Sequence, residues 1–134
     1  MLQRVWAGKP ATFGGKQVQT FGAGCLPAPP SPPRVVVGAG ASRRLIRDAV
    51  RYADEINVYG RADLIDYAHG CIAAVKRDVA LSAFIGWDHP LTDVIQELDD
   101  WDDRGMTRAF FAIWHPFSDL PRLIDLAATR AQID

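Results

Sequence analysis

The segment best suited to chemistry is Val35 to Arg44, where an apolar run passes through Gly38, Ala39, Gly40 and Ala41 into Ser42, Arg43 and Arg44. A strand that turns through small residues into a helix N-terminus aims backbone N–H groups and the positive end of a helix dipole at one point, which suits a phosphate. Gly38 and Gly40 allow close backbone approach, Ser42 adds a hydroxyl donor, and Arg43 or Arg44 can add charge-assisted contacts. The plainer reading of the same residues is a tight βα turn with a serine cap. The dinucleotide fingerprint GxGxxG competes as well: Gly38 and Gly40 match its first two glycines, but Arg43 stands in place of the third. The acidic residue that the fingerprint expects at the end of the second strand is absent, since that end reads Tyr59-Gly60-Arg61.

Other candidate groups are scattered. His69, His89 and His115 have no i, i+4 partner and form no HExxH, so no metal site is expected. His69 is expected on or near a helix surface. His89 and His115 each follow a predicted strand and precede a proline, at the end where parallel barrels place their sites; His115 is the stronger candidate because Trp114 and Phe117 flank it. Trp87 and Trp114 also end strands, where they can line a pocket or simply pack, whereas Trp101 falls on an apolar helix face and is expected in the core. Asp99, Asp100, Asp102 and Asp103 resemble a carboxylate cluster but fall on the solvent side of their helix, as a hydrated acidic face. Cys25 and Cys71 form no CxxC and no ligand spacing, which favours reduced thiols in a cytoplasmic setting. No catalytic residue is assigned.

The elements that must position these groups follow from periodicity. Residues 1–33 differ from the rest: Leu2 to Trp6 suggests a helix remnant, followed by a Gly/Pro-rich loop in which Leu26 to Pro33 holds five of the nine prolines and is extended. A helix remnant feeding a long loop leads to the expectation that a segment precedes Met1. From residue 34 the pattern becomes regular. Arg34 to Gly38 is a short apolar run, expected as a strand buried on both faces. Ser42 caps a helix with Leu45, Ile46, Ala49, Val50 and Ala53 on one face. Ile56 to Tyr59 is a strand, and a helix bearing Leu64, Ile65, Ala68, Ile72 and Val75 follows. Val79 to Gly86 is the third strand, and Leu91, Val94, Ile95, Leu98 and Trp101 stripe the next helix up to Gly105. Thr107 to Trp114 is the fourth strand. Ser118 or Asp119, with Pro121 just inside, opens a last helix bearing Leu123, Ile124 and Ala127.

Residues 34–134 are therefore four consecutive βα units, an α/β class whose strands form a parallel sheet with right-handed crossovers. An open doubly wound sheet and half of a (β/α)8 barrel both satisfy this pattern. The chain has 134 residues, and a complete barrel needs about 250. With 49% apolar and 23% charged residues it has the composition of a globular protein, and its net charge of −1 gives no reason to expect nucleic acid as a partner. No apolar run approaches the roughly 20 residues that cross a membrane, and the N-terminus lacks the apolar core of a secretory signal.

Several segments, in order, resemble the luciferase-like monooxygenases, a family of flavin- or deazaflavin-dependent oxidoreductases. Leu2 to Gly15 is similar to that family's helix, Trp, Gly, Thr-Phe, Gly segment; a proline-rich loop and an apolar strand ending in small residues then follow, as Pro32 to Gly40 does. Ala49-Val-Arg-Tyr-Ala-Asp-Glu-Ile-Asn57 resembles the family's Ala-Ala-x-Tyr-Ala-Asp-x-x-Asn signature, and Arg104 to Phe111 with Pro116-Phe117 resembles its last strand and exit loop. The resemblance implies the C-terminal half of a (β/α)8 TIM barrel of the bacterial-luciferase type, strands five to eight. It implies FMN or a deazaflavin coenzyme (F-420) as cofactor, with its phosphate at Gly38, Ala39, Gly40, Ala41 and Ser42, and a small organic substrate. The family's first four strands, which supply much of the ring platform and many reactive groups, have no counterpart here. A half-barrel exposes two strand edges and an apolar inner face, so a homodimer or a complementary barrel half is the expected partner. The alternatives from other classes are a non-catalytic assembly module and a small nucleotide-binding α/β domain.

Overall fold

The computed structural model describes residues 1–87, 91–113 and 120–131; for 87, 91–95, 113, 127, 130 and 131 only the backbone is described. The chain divides into two units, Met1–Val35 and Val36–Asp134.

The first unit contains a short helix α1 (Leu2–Trp6) and an antiparallel hairpin of β1 (Ala11–Gly14) and β2 (Gln19–Ala23). The helix lies where the sequence places it, and the hairpin departs from the expected Gly/Pro-rich loop. Phe13 faces Thr20 and Gly14 faces Gln19, and the Gly15 N–H donates to the Val18 carbonyl at 3.0 Å to close the turn. These strands escape sequence reading because they carry no apolar alternation: of their nine residues only Ala11 is buried. Backbone pairing and a tight turn hold them, and no proline falls within either strand or the turn between them.

The second unit is the regular one. Its elements are β3 (Val36–Gly40), α2 (Arg43–Ala49), β4 (Glu55–Tyr59), α3 (Ala62–Ala73), β5 (Ala80–Trp87), α4 (Leu91–Asp103), β6 (Arg108–Ile113) and α5 (Leu120–Ala131). The four strands form a parallel sheet in the order β3-β4-β5-β6, the order of the chain. A doubly wound sheet reverses direction at a switch point; among these strands there is no reversal. Right-handed crossovers that always advance the same way place their helices on one face of the sheet.

The burial pattern agrees. Ala39 from β3, Ile56 and Val58 from β4, and Leu81, Ala83 and Ile85 from β5 join Ile46 and Ala49 of α2, Leu64, Ile65 and Ala68 of α3 and Trp101 of α4 in one core. Fully burying side chains such as Ile46, Ile56 and Ile65 contributes about 1.5–3 kcal/mol each. Alternate strand positions point the other way. They give the sheet a second face made of Val36, Gly38, Glu55, Asn57, Tyr59, Ser82, Phe84, Arg108 and Phe110.

That face corrects two expectations. The first strand is not buried on both sides, because Val36 is 47% exposed. It also begins and ends two residues later than the sequence suggests. Pairing of Gly38 with Asn57 and of Gly40 with Val58 draws both glycines into the ladder, with an irregularity between them. In α5, Leu123 is buried but Ile124 is 57% exposed, so the expected apolar face does not bury both. Trp101 lies in the core, and Asp99, Asp100, Asp102 and Asp103 are exposed, as their spacing predicts.

Candidate functional site

In parallel α/β sheets ligands bind beyond the C-terminal ends of the strands, and the loops that leave β3 and β4 lie among the described residues. At the end of β3, Gly40 takes a left-handed φ of 53°. Its Cα approaches the Tyr59 ring so closely that a Cβ there would lie 3.4 Å from it. The Ser42 N–H donates to the Ala39 carbonyl at 2.9 Å and closes the turn, while the Ser42 Oγ accepts the Leu45 N–H at 3.3 Å as helix cap. The hydroxyl proton of Ser42 is left to donate outward.

Of the five residues expected to cradle a phosphate, Gly38, Ala39 and Gly40 thus belong to the strand, and Ala41 and Ser42 form the turn. Ala39 is buried toward the helices and offers only backbone, whereas Ala41 and Ser42 are exposed. The arginines are arranged differently from expectation. Arg43 leans away toward α3, with Nη2 3.3 Å from Asp63 Oδ2 and its guanidinium 5.1 Å above the Tyr67 ring. Arg44 is exposed beside Asp48, 3.9 Å away.

At the end of β4, Arg61 opens α3 and holds Asp63 through Nε and Nη2, at 3.0 and 3.1 Å. Arg43 and Arg61 therefore share one carboxylate, which leaves a net charge of about +1 between the exits of β3 and β4. These groups are roughly half exposed, so the pairs stabilise by at most about 1 kcal/mol and serve chiefly to place charge. Beside them, an open cleft of about 400 Å³ lies between the ends of β4 and β5, walled by Tyr59, Gly60, Arg61, Phe84, Gly86 and Glu97. Tyr59 and Phe84 are cross-strand partners with ring centroids 6.1 Å apart. Gly60 has no room for a side chain: a Cβ there would stand 2.2 Å from the Trp101 ring.

Deeper on the same face of the sheet lies a polar layer. Asn57 Nδ2 donates to Ser82 Oγ at 3.0 Å, and Arg108 donates from Nη2 to the carboxylate of Glu55, which is completely buried. Sequence reading missed this layer and the aromatic row above it. Its signal was present, however, because Glu55, Asn57 and Tyr59 alternate with Ile56 and Val58.

A larger groove of about 520 Å³ runs between α2 and α3 past Arg47, Tyr67 and Cys71. It lies on the outer helical layer, and we assign it no ligand. There the Cys71 side chain, by hydrogen bonding, and then desolvation raise the pKa of Tyr67 above the ordinary phenol value.

His69 sits on α3, partly exposed, with Nε2 buried and its ring near Gly105. His89, His115, Trp114 and Phe117, with the proposed caps Ser118 and Asp119, lie outside the described residues, as does the side chain of Trp87. Cys25 and Cys71 are both free thiols. Among the described residues no cluster of His, Cys, Asp and Glu could hold a metal ion, and no helix is long and apolar enough to cross a membrane. No protein-family model matches this chain, and no curated protein matches it.

Proposed function

We propose that this chain is the cofactor-binding half of a luciferase-like oxidoreductase barrel, a cytoplasmic protein that holds the phosphate of FMN or a deazaflavin at the β3–α2 turn. The observation that carries this reading is the turn itself: a left-handed Gly40, an exposed Ala41 and a Ser42 hydroxyl at the C-terminal end of a strand, beside the Arg43–Asp63–Arg61 cluster. Strand order supports it, because four parallel strands in chain order with their helices on one face are what half of an eightfold barrel contains. The same order counts against a small dinucleotide-binding domain, whose crevice depends on a reversal.

The residues present fit a phosphate monoester. The first-turn N–H groups of Arg43 and Arg44 precede the first intrahelical hydrogen bond, from Ile46 to Ser42, and so point toward the turn. Ser42 adds its hydroxyl proton, and the two arginines supply net positive potential nearby. Tyr59 and Phe84 offer apolar surface to a planar ring. The bound flavin would supply the redox chemistry. This chain's residues bind and orient it, and none of them is assigned a catalytic step.

Titrating FMN and a deazaflavin into the chain, alone and with a matching N-terminal barrel half, tests the proposal by fluorescence quenching. Saturable binding that weakens about tenfold in Ser42→Ala or Gly40→Val is expected, a loss of about 1.4 kcal/mol. No binding of either cofactor under both conditions would overturn it.

A further inference from the structure

We infer that the helix-free face of the sheet is closed by a second copy of this chain, with β6 of each copy beside β3 of the other in an eight-stranded parallel barrel. This inference rests on the half-barrel reading above and names the partner. Parallel sheets occur almost only with both faces covered. Here one face carries the helices, while the other leaves Val36, Tyr59 and Phe110 exposed by 47, 48 and 42%. The outermost strands, β3 and β6, each present one edge to a further strand. Four strands and four more make eight, the number whose interior side chains just fill the barrel.

The shape of the face favours a copy of itself over other occupants. Along one level of the sheet, register aligns Gly38, Asn57, Ser82 and Arg108. At the β6 edge the face is bulky, with Arg108 lying over Phe110 at 5.9 Å. At the β3 edge it is open at the same level, because a Cβ on Gly38 would meet nothing within 4 Å. A two-fold along the barrel axis sets the bulky edge of each copy against the Gly38 opening of the other, twice over. The contact is self-complementary, as a two-fold assembly requires.

The electrostatics point the same way. Glu55 is paired with Arg108 and Asn57 with Ser82 within a single chain. Closure by a second copy therefore strands no charge and needs none of opposite sign. A basic or acidic partner, by contrast, would find its complement already engaged on this face.

Light scattering on the full chain, at concentrations up to about 100 µM, reads the assembly directly. The expected mass is twice the chain's 14.7 kDa. Gly38→Leu is the decisive variant: the single chain has room for it, so circular dichroism stays unchanged while the dimer is lost. Phe110→Asp is expected to dissociate the dimer as well, and Ile124→Asp on the exposed side of α5 is expected to leave it intact. Should the variants unfold on dissociating, the melting temperature of the natural chain must rise with concentration. A monomer at every concentration, a melting temperature that ignores concentration, or a dimer that survives both Gly38→Leu and Phe110→Asp would each overturn the inference. A monomer that still binds FMN would refute the closure alone and leave the cofactor reading standing.

Discussion

Arg108 on β6 reaches across β5 to the carboxylate of Glu55 on β4, joining two strands that do not touch. Glu55 is fully buried, while the Arg108 side chain is 48% exposed. The β5 residues at that level are Ala80 and Ser82, small enough to let the guanidinium pass. The ion pair clamps three strands together on the face that no helix covers.

Removing the guanidinium takes a charge partner away from a buried carboxylate. Arg108→Met is expected to destabilise the chain by about 2–3 kcal/mol, below the range for a fully enclosed pair because Arg108 is half solvated. The double variant Glu55→Met/Arg108→Met is expected to recover most of this loss, since an apolar pair of similar volume removes the buried charge as well. Urea unfolding of the three proteins measures both values. A double variant no more stable than Arg108→Met would contradict the pairing.

Gly60 is predicted to be irreplaceable for steric reasons. Its φ is not left-handed, but the Trp101 ring occupies the space a Cβ would need, and Ile85 stands 3.1 Å away. Gly60→Ala is expected to cost about 1–3 kcal/mol by overpacking. It should also displace Trp101 from a site where it is only 5% exposed. A red shift in tryptophan emission would accompany the lower urea midpoint, and unchanged emission and stability would refute the contact.

The Tyr67 phenol is predicted to ionise above its ordinary value near 10, because hydrogen bonding to the Cys71 side chain, followed by desolvation and the repulsion between phenolate and thiolate, favours the neutral form over the opposing pull of Arg47 and Arg43. A raised acid pKa in the folded chain means that its contribution to stability is complete below the unfolded value and is lost as pH rises through the folded one. The effect is therefore confined to alkaline solution. Spectrophotometric titration of the natural chain against Cys71→Ala, with Tyr67→Phe to identify the transition, is expected to show the Tyr67 step fall toward the ordinary value once the thiol is gone. A step that does not move would remove the assigned cause.

The sequence alone determined the four βα units, because each rests on local causes. Apolar spacing marked the helical faces with Ile46, Leu64 and Trp101; glycine and proline marked their ends; and Ser42 announced the start of α2 by a cap that needs only residues three positions apart. The turn between β3 and α2 was legible for the same reason. It was displaced by two residues because the pairing of Gly38 and Gly40 with β4 is a matter of register.

Tertiary structure decided everything that depends on neighbours in space. Strand order distinguishes a sheet with its helices on one face from a doubly wound one, and periodicity is identical in both. The β1–β2 hairpin forms through backbone hydrogen bonds that leave no apolar signature. Glu55 and Arg108 lie 53 residues apart, and only the parallel register of β4, β5 and β6 brings their charges together. Arg43, which the sequence directs at a phosphate, turns instead to Asp63 because α3 places that carboxylate within reach. Local rules fix which elements form; register and strand order fix which side chains meet, and the candidate site is built from those meetings.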